Sequence, residues 1–582
     1  MAGHSTTPKS SEPARPKAKV LKPQSKKTST FSPGDRPGII ENMSDGVFDL
    51  VVIGGGITGA GVARDAASRG MSVALVESRD FAEGTSSRSS KLIHGGIRYL
   101  ENMEFGLVFE ALSERRLLFE IAPHLVHPLR FVLPLYKGGR VGMLKMGLGM
   151  WLYDALSMFE APEMHERLSS GETLERLPQL QVKNLLGSFV YSDAYMDDDR
   201  LVHETLRAAV RLGAQCVSYV SADDAGFENG QVRSIGCTDH LTGKKFRIQG
   251  RHFVSTVGPW TDLVAPKLLG EWRKILRPSK GVHLTFRRER LQLHQAVVMA
   301  AEKRIVFGIP RQEMTIIGTT DTDYSGDPAD VSANVEDIRY LLAVAEKYFP
   351  GAKLTADDII ASYAGVRPLV DDGAETESKT SREHVILKDP RNVTFVAGGK
   401  YTTYRRMAEQ AVEAVLEDFS TDDQVRFARG DTKRPLNENA TVQKLEDSLR
   451  HAPHWAKEFS FDREKVEFLV GRHGADAHTM LRNEEASSTG WSQEDRLWSL
   501  EARHAIHQTM CMNLVDFYFR RTRLFLSRAD HGLSYIAHIS QVFAQELGWS
   551  DSKRQEQAAK LQAAVRHDLE WKQKLGTSAS SF

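Results

Sequence analysis

A doubly wound α/β dinucleotide-binding fold, followed by an all-helical C-terminal unit, is the architecture the chain predicts. Three observations predict it. An apolar run from Phe48 to Ile53 ends in a glycine-rich turn; a helix and a second apolar run follow, closed by an acid; and apolar residues recur at helical spacing near the C-terminus.

The first element, Phe48-Asp49-Leu50-Val51-Val52-Ile53, reads as a buried parallel strand because nearly every residue is apolar. Gly54-Gly55-Gly56-Ile57-Thr58-Gly59 comes next, then a helix to Arg69 closed by Gly70, then a second strand, Ser72 to Glu77, followed by Ser78. In such a unit Gly54 permits the tight turn, Gly56 removes a Cβ that would block a pyrophosphate, and Gly59 lets helix and strand pack closely. The helix N-terminus offers N–H groups and partial positive charge to the diphosphate, and Glu77 accepts hydrogen bonds from ribose hydroxyls. No second strand–glycine–helix fingerprint occurs, since Gly138-Gly139 and Gly398-Gly399 lack that context. One dinucleotide site without a CxxC pair points to an organic substrate that reduces a bound flavin directly; a single NAD site is the alternative. The loop Gly84 to Leu100 favours FAD. This polar loop of hydroxyls leading into glycines, with Thr85, Ser86, Ser87, Ser90, Lys91, Leu92, His94 and Gly95 in it, can wrap a diphosphate and approach an isoalloxazine ring.

Arg304 to Ile309 and Met314 to Gly318, around Pro310 to Glu313, read as a hairpin. Ile536, Ile539, Phe543 and Leu547, and then Ala558, Leu561, Val565 and Leu569, fall at helical spacing, so the last 150 or so residues read as helical. Lys+Arg and Asp+Glu are both 76, so no global field draws the chain to nucleic acid. The three cysteines are scattered, which excludes a disulfide framework, a zinc ribbon and a redox dithiol; no metal is called for, and a reducing cytoplasm fits. Residues 1–44, rich in Ser, Thr, Pro and Lys over the first 28, read as a disordered basic arm. The most apolar stretch, Met143 to Phe159, is too short and too charged to span a bilayer. It is expected to be a buried core helix, with a helix lying on a membrane surface as the alternative.

Five blocks, Gly54 to Tyr99, Gly258-Pro259-Trp260, Ile317 to Asp321, Gly365-Val366-Arg367-Pro368-Leu369 and Gly398 to Arg405, together resemble the FAD-dependent glycerol-3-phosphate dehydrogenases. The similarity runs in the family's order over roughly residues 47 to 420 and continues more loosely to about 530. It implies a glutathione-reductase-like, discontinuous FAD-binding domain over 45–425. It also implies an α+β substrate domain on a mixed sheet, interleaved near 126–190 and 280–360, and a helical cap over 426–582. It implies oxidation of sn-glycerol 3-phosphate to dihydroxyacetone phosphate, with hydride passing from C2 to flavin N5 and electrons going to a membrane quinone. The resemblance puts Arg98, Arg367 and Arg382 near the phosphate and Lys400 beside substrate or flavin. Gly258, Trp260, Gly365, Gly399, Tyr401, Thr402 and Thr403 fall at the cofactor, with Thr402 or Thr403 expected to cap the next helix. His283 is the first candidate for the base, with Lys400 a second and a satisfied core histidine the competing reading; Tyr99 orients substrate or is simply packed. An oxidase of the same family and a non-catalytic FAD-binding protein are the rival functions. A quinone reductase has to reach the bilayer, so monotopic attachment at the inner face of the cytoplasmic membrane is expected. Lys137 to Phe159 or the cap would supply the contact surface, and a homodimer is compatible with this arrangement.

Overall fold

The computed structural model describes residues 19–20, 31–301, 304–371, 373, 383–484 and 490–578. Two large sheets organise it. In the first, the strands His384–Asp389, Val393–Gly398, Lys245–Ser255, Gly46–Ile53, Val73–Val76 and Gln215–Val217 lie side by side in that order. The last five run parallel, and a hairpin of Val220–Glu228 and Gln231–Asp239 extends the sheet from Lys245–Ser255. The glycine turn thus leaves the middle of the sheet, where flanking strands cover both edges of Gly46–Ile53 and its side chains are buried on both faces.

The helix Ile57–Ser68 packs on this sheet through Ala60, Ala63, Ala66 and Ala67, all buried. Small residues allow a close approach on its other side as well. A Cβ at Gly61 would come within 2.9 Å of the Ala408 methyl on the helix Tyr404–Leu416, so that helix sits directly against it.

The second sheet is mixed. Its central run is Leu276–Arg287, Met314–Gly318, Arg304–Arg311, Ala296–Ala301, Val126–Tyr136 and Leu185–Met196, antiparallel throughout except where Ala296–Ala301 runs parallel to Val126–Tyr136. The hairpin expected between 304 and 318 is present. Ile359–Val370 pairs antiparallel with the other edge of Leu276–Arg287, placing His283 opposite Tyr363, Gly281 opposite Gly365 and Ser279 opposite Arg367.

From Val442 onward the described chain is helical. The stripes at 536–547 and 558–569 face inward as expected, although the second helix ends at Asp568 and a further helix, Glu570–Ser578, runs through Gly576. These helices brace the second sheet. Thr285 Oγ1 donates to the Leu526 carbonyl at 2.8 Å, and Trp571 Nε1 donates to Ser362 Oγ at 2.8 Å. Ser362 alternates with Tyr363 along its strand, whereas Thr285 lies two residues from His283 on the same face, so the cap holds this strand pair from both faces. A second tie reaches the first sheet: Asp80, fully buried, accepts from Arg520 Nε at 2.5 Å and from Arg521 Nη1 and Nη2 at 2.7 and 2.8 Å.

Two expectations need correction. The segment read as a disordered arm to residue 44 contains a helix, Arg36–Asp45, and Lys19–Val20 pairs with Gly46 and Val47. The helix is fixed by Arg36, whose buried guanidinium donates to both oxygens of Asp239, and by Ile40 and Met43 beneath it. Residues 1–18 and 21–30 of the arm lie outside the described residues. The helix expected to be core, Met143–Leu156, buries only Met150, Tyr153 and Asp154, while Leu144, Leu148 and Trp151 are 84%, 68% and 61% exposed. These three share one helix face by their spacing; Met158 and Phe159 are exposed just after the helix, and Phe105 and Phe109 on the helix Phe105–Ile121 that packs against it. Being apolar on two faces, the helix covers the core with one and presents the other outward. Among the described residues no helix is long and apolar enough to cross a membrane.

Candidate active site

The C-terminal ends of the parallel strands open onto a cleft of about 560 Å³, where open α/β sheets bind ligands. The glycine turn forms one end. Gly54 takes φ +107°, and a Cβ there would lie 2.9 Å from the Thr256 carbonyl oxygen, so only glycine turns here beside the neighbouring strand. A Cβ on Gly59 would fall 1.9 Å from the Gly54 oxygen, which is the close helix–strand approach expected of it. Gly56, Ile57 and Thr58 line the cleft at the start of their helix, and the N-cap Gly56 has no side chain with which to satisfy the first amides. That end of the cleft therefore fits a diphosphate.

Glu77 lines the same end. Its Oε2 accepts from the Gly55 amide at 2.7 Å, and Oε1 from the Arg79 amide at 2.9 Å and the Ser78 hydroxyl at 3.3 Å, leaving Oε2 a second lone pair for a ribose hydroxyl. Burial raises its pKa above the ordinary carboxylate value, and the two amides oppose that rise. Ser86 Oγ accepts from the Ile57 amide at 3.0 Å and Thr85 Oγ1 donates to the Val366 carbonyl at 2.5 Å, so the hydroxyl-rich loop is tied to both sheets. Gly365 makes room for it, because a Cβ there would lie 2.9 Å from the Arg88 backbone oxygen. Ser78, Ser90, Leu92, His94, Gly258, Trp260, Gly399, Tyr401 and Thr402 also line the cleft. The cleft, its uncapped helix and the acid beyond it are what an FAD needs.

At the other end the two sheets meet. Strand alternation puts His283, Gly281 and Ser279 on one face, and Tyr363, Gly365 and Arg367 on the matching face of the next strand. The His283 ring stacks on Tyr363, with centroids 4.8 Å apart and planes at 8°. Arg367 Nη2 donates to Thr319 Oγ1 at 2.8 Å and Nη1 to Asp321 Oδ1 at 3.1 Å; it lies across Gly281, where a Cβ would be 2.4 Å from Nη2. The Lys400 ammonium sits over the Tyr99 ring, 3.7 Å from its centroid, close enough for a cation–π contact. His283, Arg367, Lys400 and Tyr99 thus converge on one cleft. Burial holds the His283 imidazole well below its ordinary pKa, reinforced by the Arg367 and Lys91 charges, so the ring is neutral.

Several expected cofactor residues stand behind the wall instead. Lys91 is buried and paired with Asp198, since an ammonium out of water requires a counter-charge. The Gly95 amide donates to Asp193 and Tyr153, and a Cβ there would strike Leu112 and Tyr153, so this glycine serves packing. Neither threonine caps the helix Tyr404–Leu416. A 3₁₀ turn, Tyr401–Thr403, intervenes; Thr402 Oγ1 exchanges hydrogen bonds with the His94 backbone, and Thr403 Oγ1 donates to the Lys400 carbonyl. Gly55, Gly59 and Ser87 support the turn and loop from behind. The backbone of Arg98 lies in the 3₁₀ turn Ile97–Asn102, but its side chain, like all of Arg382, lies outside the described residues.

Sequence reasoning missed Tyr363, Arg88, Asp223 and Lys267, which also line or floor the cleft. Arg88 stood within the hydroxyl loop and could have been found. The others come from segments with no local motif.

Comparison with known proteins agrees with this geometry. A family model described as FAD dependent oxidoreductase matches residues 49–405, and one described as the C-terminal domain of alpha-glycerophosphate oxidase matches 444–554. An aerobic glycerol-3-phosphate dehydrogenase of Staphylococcus saprophyticus is 33% identical over 539 residues, covering 91% of this chain and 96% of that protein. One from Staphylococcus aureus is 33% identical over 544 residues, covering 92% and 97%. The chain belongs to the FAD-dependent glycerol-3-phosphate dehydrogenase family. A crystal structure of a member from Bacillus halodurans complexed with FAD superposes with a TM-score of 0.75 at 30% identity, covering 92% of this chain and 98% of that one. The strands of the dinucleotide-binding sheet here are drawn from separate stretches of the sequence, and a helical domain follows them.

Proposed function

We propose that the protein oxidises the C2 hydroxyl of sn-glycerol 3-phosphate to give dihydroxyacetone phosphate, and that its electrons pass to a membrane quinone from the cytoplasmic face of the bilayer. The observation that carries this reading is the convergence of a neutral, buried histidine, a braced arginine and a lysine at one end of a cleft that fits FAD. When bound, FAD supplies the hydride acceptor. Arg367 holds the phosphate through planar, permanently charged donors, and Arg98 and Arg382 are proposed to assist it. Lys400 contributes positive potential where negative charge develops. His283, kept neutral by its burial, takes the hydroxyl proton as the C2–H bond breaks.

Attachment to the membrane is assigned to the exposed face of Met143–Leu156, where Leu144, Leu148 and Trp151 meet the exposed cations Lys137 and Lys145. An apolar face rimmed by lysines suits an anionic bilayer surface.

Anaerobic addition of glycerol 3-phosphate is expected to bleach the flavin spectrum, and added quinone to restore it. An unbleached spectrum would refute the reading. Because the C-terminal match carries the name of an oxidase, peroxide is measured in the same assay; rapid peroxide formation without quinone would replace the quinone by oxygen.

A further inference from the structure

Ser90 caps Nε2 of His283, whose ring lines the cleft. Its Oγ stands 2.8 Å from His283 Nε2, and the serine is half-exposed at the cleft wall, whereas the histidine is only 1% exposed. The ring has no room to swing aside. Tyr363 stacks on one face, held by its own hydroxyl donating to the Ser89 carbonyl at 3.1 Å. Gly318 lies so close to the ring that a Cβ there would fall 2.2 Å from His283 Cδ2. The other nitrogen, Nδ1, is buried with no hydrogen-bond partner among the described residues. Proton exchange between ring and cleft therefore runs through Nε2, and Nε2 is capped by a hydroxyl.

We propose that Ser90 is a catalytic residue, the proton relay between the C2 hydroxyl of the substrate and His283. The proposal rests on the reading of His283 as the base. In the step, the C2 hydroxyl proton passes to Ser90 Oγ while the Ser90 proton passes to His283 Nε2. The C2–O bond becomes a carbonyl as the C2–H electron pair leaves with its hydrogen as hydride to the bound cofactor. Serine is regenerated, and the histidine, protonated on Nδ1 beforehand, gains a second proton on Nε2 and becomes an imidazolium. A hydroxyl suits this role because it donates and accepts at once, and a relay through one group lies within the reach general-base catalysis requires.

The test is made on the holoenzyme with Ser90→Ala, Ser90→Thr and His283→Gln. For Ser90→Ala, flavin reduction by glycerol 3-phosphate is expected to slow about 100-fold, the span a positioned proton-transfer group supplies. FAD content and the spectrally titrated Kd of dihydroxyacetone phosphate should stay unchanged, and Ser90→Thr should recover most of the rate. If Ser90→Ala reduces its flavin within twofold of the parent while His283→Gln is slow, the relay is overturned and the histidine acts directly. If both variants are fast, the base itself has been misassigned. Loss of FAD from Ser90→Ala and Ser90→Thr alike would make the serine a cofactor ligand and overturn the relay.

Discussion

Gly59 carries the severest steric demand among the described glycines, with the Gly54 oxygen 1.9 Å from where a Cβ would stand. Gly59→Ala must therefore push the helix Ile57–Ser68 off its strand. Overpacking of this kind costs about 1–3 kcal/mol, and it displaces the amides facing the diphosphate. The expected outcome is protein purified with little FAD, read from the ratio of flavin to protein absorbance. Arg367 acts at the opposite end of the cleft. Arg367→Ala should raise the KM for glycerol 3-phosphate about 10- to 150-fold, the equivalent of one or more charged hydrogen bonds, with FAD content unchanged. Both residues were legible in the sequence, Gly59 because a single backbone geometry demands it and Arg367 because its block matches a family. Lys91 and Gly95 were misread for a common reason: a cation or glycine in a polar loop looks the same whether it faces ligand or core, and only Asp198 and Tyr153, about 60 to 110 residues away, decide.

Among the elements, the strand–turn–helix unit was plain because its pattern is local, whereas Met143–Leu156 was not. Leu144, Leu148 and Trp151 are as apolar as Met150 and Tyr153, and composition cannot say which face the protein covers. Likewise Arg36–Asp45 gained its order from Asp239, about 200 residues on, a partner no window around the arm contains. The exposed face of Met143–Leu156 makes a specific demand. Leu148→Glu with Trp151→Glu should leave flavin bleaching by substrate intact while abolishing sedimentation with anionic liposomes and lowering turnover with membrane-bound quinone. Unchanged sedimentation would assign the membrane contact to another surface. Little loss of fold stability is expected, since both side chains already stand in water.

Across the whole molecule the cap and the FAD-binding region are joined by buried charge, and this sets the response to acid. Burial pushes His124 down to about 3, holds His203 and His504 well below their ordinary value, and the guanidinium of Arg207 helps bring Glu204 down to about 2. In each case the folded state binds its proton less tightly than the unfolded chain. The stabilisation is therefore complete above the unfolded values and is lost as pH falls through the window down to the folded ones. Each such histidine contributes a slope of about 1.4 kcal/mol per pH unit below about 6.5, and Glu204 adds its own below about 4.5. Thermal unfolding should be nearly independent of pH just above neutrality and fall steeply from pH 6.5 downward. His124→Gln should flatten the upper part of that fall; an unaltered slope would show that His124 is not a source of it.

Asp80 stands a few residues before Glu83 and Gly84 of the cofactor cleft, yet the guanidinium groups that neutralise it arrive 440 and 441 residues later in the chain. A ribosome that has released only the first 500 residues has made every glycine and hydroxyl of the flavin berth but not the cations that let its neighbour be buried. Burial of that carboxylate therefore waits on Arg520 and Arg521, and the segment around it settles only once the cap has been made.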